Sequence, residues 1–309
     1  FMKHIIFFIC YFGIFLFPTF KPSDIVNVHW FYLSILNICV FSFYRKEIIF
    51  SLQSLYRSRI FKFYLIFIFF CFIHIFFSKN SNISTVDFFR IFNTFFLVVA
   101  FITLFKNFNE NSFRLISLII SLFLFIDLFF IYLPYLRFSI SNSYSFFDLF
   151  LKNFNPNDLK GLNANKNITA AYTAIKIPFL LFLIFTVKKN LYKYLLYSMF
   201  LLTSITIFLL QAKAVYLSFG FSILLFLIFY LFTAKRKLFN SSLVILVLFI
   251  SFLFSNVITS YNGKESVTNT FSSINFSDES SNSRISLWQN ALEYSYENYF
   301  LGSGLGTWK

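Results

Sequence analysis

The sequence predicts an all-α protein that crosses a membrane many times, and three observations support this fold class. Of the 309 residues, 58% are hydrophobic and only 12% are charged, about half the charged share of an ordinary soluble domain. The mean hydropathy of the chain is +0.74. The apolar residues form a series of runs, each near the ~20 residues that a helix needs to span a bilayer. These observations exclude an ordinary soluble globular class.

About nine of the apolar runs are predicted to be transmembrane helices. They extend over Ile5–Phe20, Ile25–Phe43, Ile60–Phe77, Phe88–Phe105, Leu115–Leu136, Thr169–Val187, Leu191–Gln211, Val215–Thr233 and Leu238–Ile258. No small-residue cleavage site follows the first run and further spans do, so it is interpreted as a helix rather than a signal peptide. We therefore predict a transmembrane domain over residues 1–258, and the start of a large loop outside the membrane over residues 259–309.

The Lys and Arg residues between the spans predict the orientation of the chain. Fourteen basic residues lie in one set of alternate links and eight in the other, and all three basic clusters (45–46, 188–189 and 235–237) belong to the richer set. Basic residues accumulate on the cytoplasmic side, so the N-terminus is predicted to be cytoplasmic and the last loop periplasmic, in a bacterial inner membrane. This topology also explains the net charge of +14, so nucleic acid is not predicted as a partner.

Two of the outer segments are long. The first, residues 137–168, is predicted to hold a short helix at the membrane interface near 146–151 and then a turn at 155–158. The front of the second, residues 259–282, is rich in Ser and Asn and is predicted to be a flexible loop. The three cysteines lie singly inside apolar runs and form no C-x-x-C pair, and no metal site or cofactor is predicted.

Two polar stretches at the outer mouth of the spans are candidates for anion binding. Lys213 lies in the tight turn between the predicted seventh and eighth helices. It is either a lysine that extends to the lipid head groups or a cation that holds a lipid diphosphate. Asn165, Lys166 and Asn167 open the sixth helix, where the helix N-terminus already favours anions. Simple capping by Asn167 or Thr169 is the alternative explanation for this second stretch.

Two ionisable residues are predicted to lie within the spans. Lys176 is about one turn below the outer mouth of the sixth helix, and Asp127 lies among Phe and Leu in the fifth. Charged groups in a bilayer are costly and are often functional. Lys176 either remains buried or extends upward to the interface, and Asp127 is either a proton relay or a hydrogen-bonding group towards a neighbouring helix.

The last stretch of the chain is predicted to be a soluble helix followed by a glycine loop. Ile285, Trp288, Leu292 and Tyr296 recur at helical spacing and form one apolar face. The polar residues 281–283 are predicted to cap its start. The run Gly302-x-Gly304-x-Gly306 resembles nucleotide-binding loops only superficially, because it follows a helix rather than a strand and has no subsequent Gly-Lys-Ser/Thr.

These motifs together resemble the O-antigen ligase and polymerase superfamily from about Gly161 onward. The resemblance consists of an Arg before x-x-x-Trp, here Arg284 and Trp288, with Gly302 and Gly304 after it, and the Asn165–Asn167 run followed by Pro178. The family has a Ser-Arg-Gly-Ala-like element at the turn where this chain has Gln-Ala-Lys-Ala, so Lys213 replaces an arginine. Lysine offers a point charge but not the two-pronged geometry of a guanidinium.

The resemblance implies a membrane enzyme that transfers a glycan from a polyprenyl diphosphate carrier to a glycan or lipid acceptor. It implies that Arg284, Lys213 and Lys166 bind the diphosphate, that Asn165, Asn167, Trp288, Gly302 and Gly304 support them, and that neither nucleotide nor metal is needed. The family's catalytic base is a His beyond the glycine run. The three His here are His4, His29 and His74, so no catalytic residue is assigned and the base is expected beyond Lys309, in a chain interpreted as a fragment or a truncated gene product.

Other function classes compete with this interpretation. A ligase and a polymerase of the same superfamily are not distinguished by these residues. A transporter or flippase of a lipid-linked glycan explains the spans and the basic outer mouth equally well. It does not explain an outer Arg-x-x-x-Trp helix, and the paired halves common among transporters are not seen. A membrane anchor for a partner complex is a third class, against which the buried and mouth-facing charges count.

Overall fold

The computed structural model describes residues 2–16, 22–106, 110–142, 155–163, 165–233, 238–263, 266–273 and 279–297. Within these residues the chain is helical, without a strand. The helices are α1 (Met2–Phe12), α2 (Pro22–Phe43), α3 (Arg45–Tyr56), α4 (Arg59–Phe77), α5 (Ser81–Phe105), α6 (Glu110–Asn142), α7 (Lys166–Ala174), α8 (Ile177–Thr186), α9 (Asn190–Leu210), α10 (Lys213–Thr233), α11 (Leu238–Tyr261), α12 (Val267–Ser272) and α13 (Glu279–Glu297). Short 3₁₀ turns occur at Gly13–Leu16 and Pro156–Asp158.

The predicted all-α polytopic membrane fold is confirmed. Seven stretches in the described part are long and apolar enough to cross a bilayer: Arg59–Phe77, Ser81–Phe105, Asn111–Ser141, Lys166–Thr186, Asn190–Leu210, Lys213–Tyr230 and Asn240–Tyr261. Two shorter apolar helices, Lys3–Phe12 and Val28–Phe43, correspond to the first two predicted spans. Large apolar side chains such as Ile60, Phe63 and Phe76 are more than 70% exposed, as expected for surfaces that face lipid.

The chain divides into two compact units, which are described separately. The first comprises residues 1–11, 26–108 and 276–309, to which α1–α5 and α13 contribute. The second comprises residues 12–25 and 109–275, to which α6–α12 contribute.

A buried polar network joins three helices of the first unit. The hydroxyl of Tyr11 on α1 donates to Oδ1 of Asn37 on α2 at 2.8 Å. Asn37 donates in turn to Oδ1 of Asn93 on α5 at 2.7 Å, and Nδ2 of Asn93 donates to the carbonyl of Trp30 at 3.3 Å. Since a bilayer offers no water to these groups, the mutual hydrogen bonds hold α1, α2 and α5 in register.

Helix α3 was not predicted, because residues 45–56 were assigned to a basic link. Its apolar residues do not form a span. Ile48 and Ser51 are buried, whereas Ile49 and Phe50 are more than half exposed. The Ser51 hydroxyl accepts a hydrogen bond from Thr103 near the end of α5 at 3.0 Å. A short helix with basic residues at its start and one buried stripe is typical of a helix at a membrane surface.

The core of the second unit is built around α9. Its small polar residues Thr203, Ser204 and Thr206 are all buried. The Thr206 hydroxyl lies 2.9 Å from that of Tyr132 on α6. On the other side, Ser255 of α11 donates to the carbonyl of Ile205 at 3.4 Å. Small residues at these positions allow the helix backbones to approach closely, which stabilises helix pairs in membranes.

The sixth predicted span is interrupted. Helix α7 ends at Ala174 and α8 begins at Ile177, with Ile175 and Lys176 in a turn between them. Pro178 explains the interruption, because proline lacks the N–H that would bond four residues back and its ring clashes there. At the interruption the Lys176 N–H donates to the carbonyl of Thr173, three residues back, at 3.3 Å. This hydrogen bond gives the backbone a tighter turn, as in a 3₁₀ helix.

The outer segments partly match their predictions. The turn predicted at 155–158 is present as the 3₁₀ turn, with the Asn155 side chain accepting from the Asn157 N–H. The interfacial helix predicted near 146–151 lies outside the described residues. The prediction of a flexible loop over 259–282 is wrong where α11 continues to Tyr261, where α12 forms and where α13 begins at Glu279. Helix α12 forms because the Ser266 side chain caps it and Val267 is fully buried.

Candidate functional site

The start of α7 places Lys166 and its neighbours. Asn165 is the N-cap residue, and its side chain accepts from the Asn167 N–H at 2.8 Å. The predicted caps Asn167 and Thr169 are therefore wrong. The Thr169 hydroxyl donates instead to the Lys160 carbonyl at 2.6 Å, which ties the preceding loop to the first turn of the helix. Lys166 is the first helical residue and is partly exposed.

The loop that leads into α7 depends on Gly161. This residue has a φ of +59°, in the left-handed region that side chains disfavour. A Cβ atom there would lie 2.8 Å from Cγ1 of Ile131 on α6. Glycine therefore allows the loop to pass against α6 while Lys160 bonds to Thr169.

Replacing Gly161 with alanine should destabilise the protein by about 1–3 kcal/mol, because the new methyl group meets both the strained backbone and Ile131. The matched control is Gly220→Ala in α10, where nothing lies within 4 Å of the added Cβ. That control should be neutral or slightly stabilising, because alanine is the better helix former. Thermal unfolding midpoints in one detergent compare the two, and equal midpoints would contradict the role given to Gly161.

Lys213 begins α10 directly after a two-residue turn. Helix α9 ends at Leu210, and Gln211 has a φ of 53°, which reverses the chain within Gln211 and Ala212. The Lys213 ammonium donates to the carbonyl of Ser273 at 3.0 Å, just beyond the end of α12. Next to it, the ring of Phe271 stacks on that of Tyr216 at 4.7 Å. Lys213 is therefore held at the helix end rather than extended into lipid, although it stays partly exposed.

Lys166 and Lys213 lie at the same end of the second unit. Helices α7 and α10 contact each other, and the intervening α9 runs antiparallel to both. At the opposite end, Phe185 near the end of α8 contacts Tyr230 near the end of α10, with ring centroids 4.1 Å apart. Two helix N-termini, each with its partial positive charge, thus share one end with two lysines and the amides of Asn165 and Asn167. This arrangement favours an anion.

Lys176 and Asp127 form an ion pair inside the membrane-spanning part of the second unit. Their side chains are 1% and 13% exposed. The pair joins the turn between α7 and α8 to the middle of α6, with the apolar residues Leu124, Leu128 and Leu180 packed in the same core cluster. Both residues were predicted from the sequence to lie within the spans, but an ion pair between them was not predicted. Their opposite charges in two successive spans were the signal that pointed to a pair.

The remaining predicted residues belong to the first unit. Arg284 lies in the first half of α13, and its side chain is outside the described residues. Trp288 on the same helix is 67% exposed, and Leu292 and Tyr296 of the predicted apolar face are exposed as well. The predicted caps at 281–283 are wrong, because α13 already begins at Glu279. Gly302 and Gly304 lie outside the described residues.

One contact indicates which end of the first unit carries α13. The Lys79 ammonium lies 5.0 Å from the centroid of the Tyr294 ring on α13. Lys79 is in the link between α4 and α5, which the basic-residue pattern places on the outer side. Within the described residues, no group of three His, Cys, Asp or Glu side chains is arranged to hold a metal ion. His4 contacts the carbonyl of Leu104 at 3.3 Å, far from α13 in sequence.

Comparison with known proteins bears on the C-terminal third of the chain. Residues 198–309 match the sequence model of a family described as O-antigen ligase, a family of the enzyme type, which confirms the resemblance. The match includes Lys213, Arg284, Trp288 and the glycine run, whereas Lys166 and its neighbours precede it. No curated protein and no solved structure matches the chain.

Proposed function

We propose that this chain, whose residues 198–309 match the O-antigen ligase family, transfers a glycan from a polyprenyl diphosphate carrier to an acceptor, as in ligation of O-antigen to the lipid A core. The family match carries this proposal, because it contains both Lys213 and Arg284. The multi-pass fold supports it, since the lipid carrier of such a reaction lies in the membrane.

The diphosphate is the leaving group of this reaction, and its negative charge grows as the glycosidic bond breaks. In our proposal the shared end of α7 and α10 stabilises that charge. Lys213 is positioned by its hydrogen bond to the Ser273 carbonyl. Lys166 and the N-termini of the two helices add positive potential before the reaction begins. Such preorganised charge lowers the barrier without reorganisation at the moment of transfer.

In this proposal Arg284 binds the diphosphate through its guanidinium group. A guanidinium bonds two phosphate oxygens at once and orients the leaving group, which a lysine cannot do. The acceptor hydroxyl needs a general base, and the superfamily resemblance assigns this role to a His of the outer loop, for which no residue of this sequence is proposed.

The proposal is tested with the complete gene product in proteoliposomes that contain a polyprenyl-diphosphate-linked glycan and a lipid A core acceptor. We expect transfer without added nucleotide. Lys213→Met should lower the rate about tenfold, and Lys213→Arg should restore it, because only the charge is required at this position. Lys188→Met, an exposed lysine at the opposite end of the second unit, is the control and should not change the rate.

The acceptor distinguishes the competing activities. A polymerase extends one carrier-linked glycan with another and leaves lipid A core unmodified, whereas a transporter moves the carrier-linked glycan across the bilayer with no new glycosidic bond. Transfer to neither acceptor by a folded, complete protein would contradict the proposed function. An unchanged rate in Lys213→Met would contradict only the role of Lys213.

A further inference from the structure

A cleft lies between α2 and α5 of the first unit, outside the site described above. Its volume is about 860 Å³, within the range of pockets that hold small-molecule ligands. The lining residues recur at helical spacing. They are Ser34, Asn37, Ile38, Phe41 and Ser42 of α2, Arg45 at the start of α3, and Phe89, Phe92, Asn93 and Phe96 of α5.

The walls of this cleft are apolar. Four phenylalanine rings line it, and two of them, Phe41 and Phe96, are in edge-to-face contact with ring centroids 5.1 Å apart. The amides of Asn37 and Asn93 are directed to each other and to the carbonyl of Trp30, so their donors are engaged within the protein. A ligand body in this cleft is therefore expected to be hydrocarbon rather than sugar.

A smaller cavity of about 200 Å³ continues the cleft. It shares Ser34, Phe89 and Asn93 with the larger one and extends to Trp30. Arg90 also lines it, but its charge is paired with Asp87 at 2.7 Å. From Arg45 to Trp30 the two cavities follow fifteen residues of nearly continuous helix, roughly 22 Å at 1.5 Å per residue. This length exceeds the ~15 Å of hydrocarbon in one leaflet, so the cleft accommodates a long chain that lies along the helices.

The charge at one end of the cleft is strongly positive. Arg45 lines that end and is exposed, and it makes no hydrogen bond or ion pair within the described residues. Further basic residues lie on α3, at the start of α4 and after α5: Lys46, Arg57, Arg59, Lys62 and Lys106. Glu47 is the one acidic residue among positions 45–62. A hydrocarbon chain with an anionic head group fits an apolar cleft that has basic residues at one end.

We infer that the cleft binds an anionic glycerophospholipid, with one acyl chain lying along the surface that α2 and α5 form and the phosphate beside Arg45. A phosphate diester meets a guanidinium through charge-assisted hydrogen bonds, whereas the Phe rings and Ile38 surround the chain. This inference does not depend on the proposed glycan transfer, because it concerns the first unit and the richer basic side of the membrane. A helix from a partner protein is the rival occupant, but it brings no anion to Arg45.

Native mass spectrometry of the purified full chain tests the inference, with phosphatidylglycerol and phosphatidylcholine supplied at equal concentration. We expect one phosphatidylglycerol per chain to survive delipidation. Arg45→Gln should weaken its retention about fivefold, the factor expected when one basic residue near an anionic membrane surface is lost. Ser34→Trp should displace the lipid, because the new ring occupies the middle of the cleft.

Two matched variants separate specific binding from general effects. Arg57→Gln removes an exposed charge of the same basic group without touching the cleft, and Ile35→Trp adds the same ring one residue away on a face that does not line it. Both should retain the lipid. Equal retention of the two lipids, equal losses in Arg45→Gln and Arg57→Gln, or a Ser34→Trp protein that binds like Ile35→Trp would each overturn the inference. So would a co-purified helical protein on the cleft in place of lipid.

Discussion

Lys176→Met is expected to lower the free energy of unfolding by about 3–5 kcal/mol. The substitution leaves Asp127 without its partner in the apolar core of the second unit, where its carboxyl group must either stay ionised and unpaired or take up a proton, and breaking a buried pair in this way costs about this much. The hydrophobic volume of methionine does not offset the loss, because the cost comes from Asp127, which must be buried as an ion or neutralised by a proton. Equilibrium unfolding in mixed micelles, followed by tryptophan fluorescence or by helical signal, measures the difference.

The double variant Lys176→Met with Asp127→Leu identifies the cause of that loss. Removing both charges eliminates the unpaired ion, so most of the stability should return. Lys189→Met, an exposed lysine in the link before α9, serves as the control and should unfold like the unmodified protein. If the double variant is as unstable as Lys176→Met, packing around Lys176 rather than its pairing with Asp127 carries the effect.

Arg284→Ala is expected to reduce glycan transfer by about a hundred- to a thousandfold, if the proposed function holds. The reason is that Arg284 binds the diphosphate most strongly in the transition state, where its charge is greatest, and loss of one such donor typically has this effect. The rate constant should fall more than the apparent affinity for the carrier. Steady-state kinetics in proteoliposomes, with the carrier-linked glycan varied, separates the two quantities.

Two further variants test whether the guanidinium group of Arg284 itself is required. Arg284→Lys keeps the charge but not the two-pronged geometry, so it should recover only part of the rate. Glu293→Gln changes an exposed charge on the same helix and should leave transfer unchanged. A normal rate in Arg284→Ala would show that α13 carries no diphosphate contact at this position, even if transfer itself were observed.

The spans could be predicted from sequence because each one is determined by the composition of its own segment. Length and hydropathy identify a membrane helix, and Lys and Arg counts orient it, without knowledge of its neighbours. The same information predicted that Lys166 and Lys213 both lie on the outer side. In the structure α7 and α10 contact each other, and their N-termini lie at one end of the second unit, whereas the side of the membrane stays a prediction. Arg284 was identified by its motif, and its diphosphate contact stays a prediction.

Contacts between helices could not be predicted in the same way. Asn37 and Asn93 are 56 residues apart, and nothing in either helix reveals that their amides meet. Helix α3 was missed because a helix at the membrane surface has neither the length nor the hydropathy of a span. The cap of α7 was misassigned because Asn165, Asn167 and Thr169 all have suitable side chains, and only the backbone geometry selects one of them.

Because Asp127 precedes Lys176 in the chain, it is synthesised before its partner exists. Asp127 leaves the ribosome 49 residues before its partner, which at ~5–20 residues per second corresponds to about 2–10 seconds. During this interval α6 enters the bilayer with a carboxyl group that has no cation beside it. The neutral, protonated acid is the less costly form in hydrocarbon, so we expect the proton to leave only when Lys176 arrives. Biogenesis of the second unit thus includes a proton release that the finished protein no longer displays.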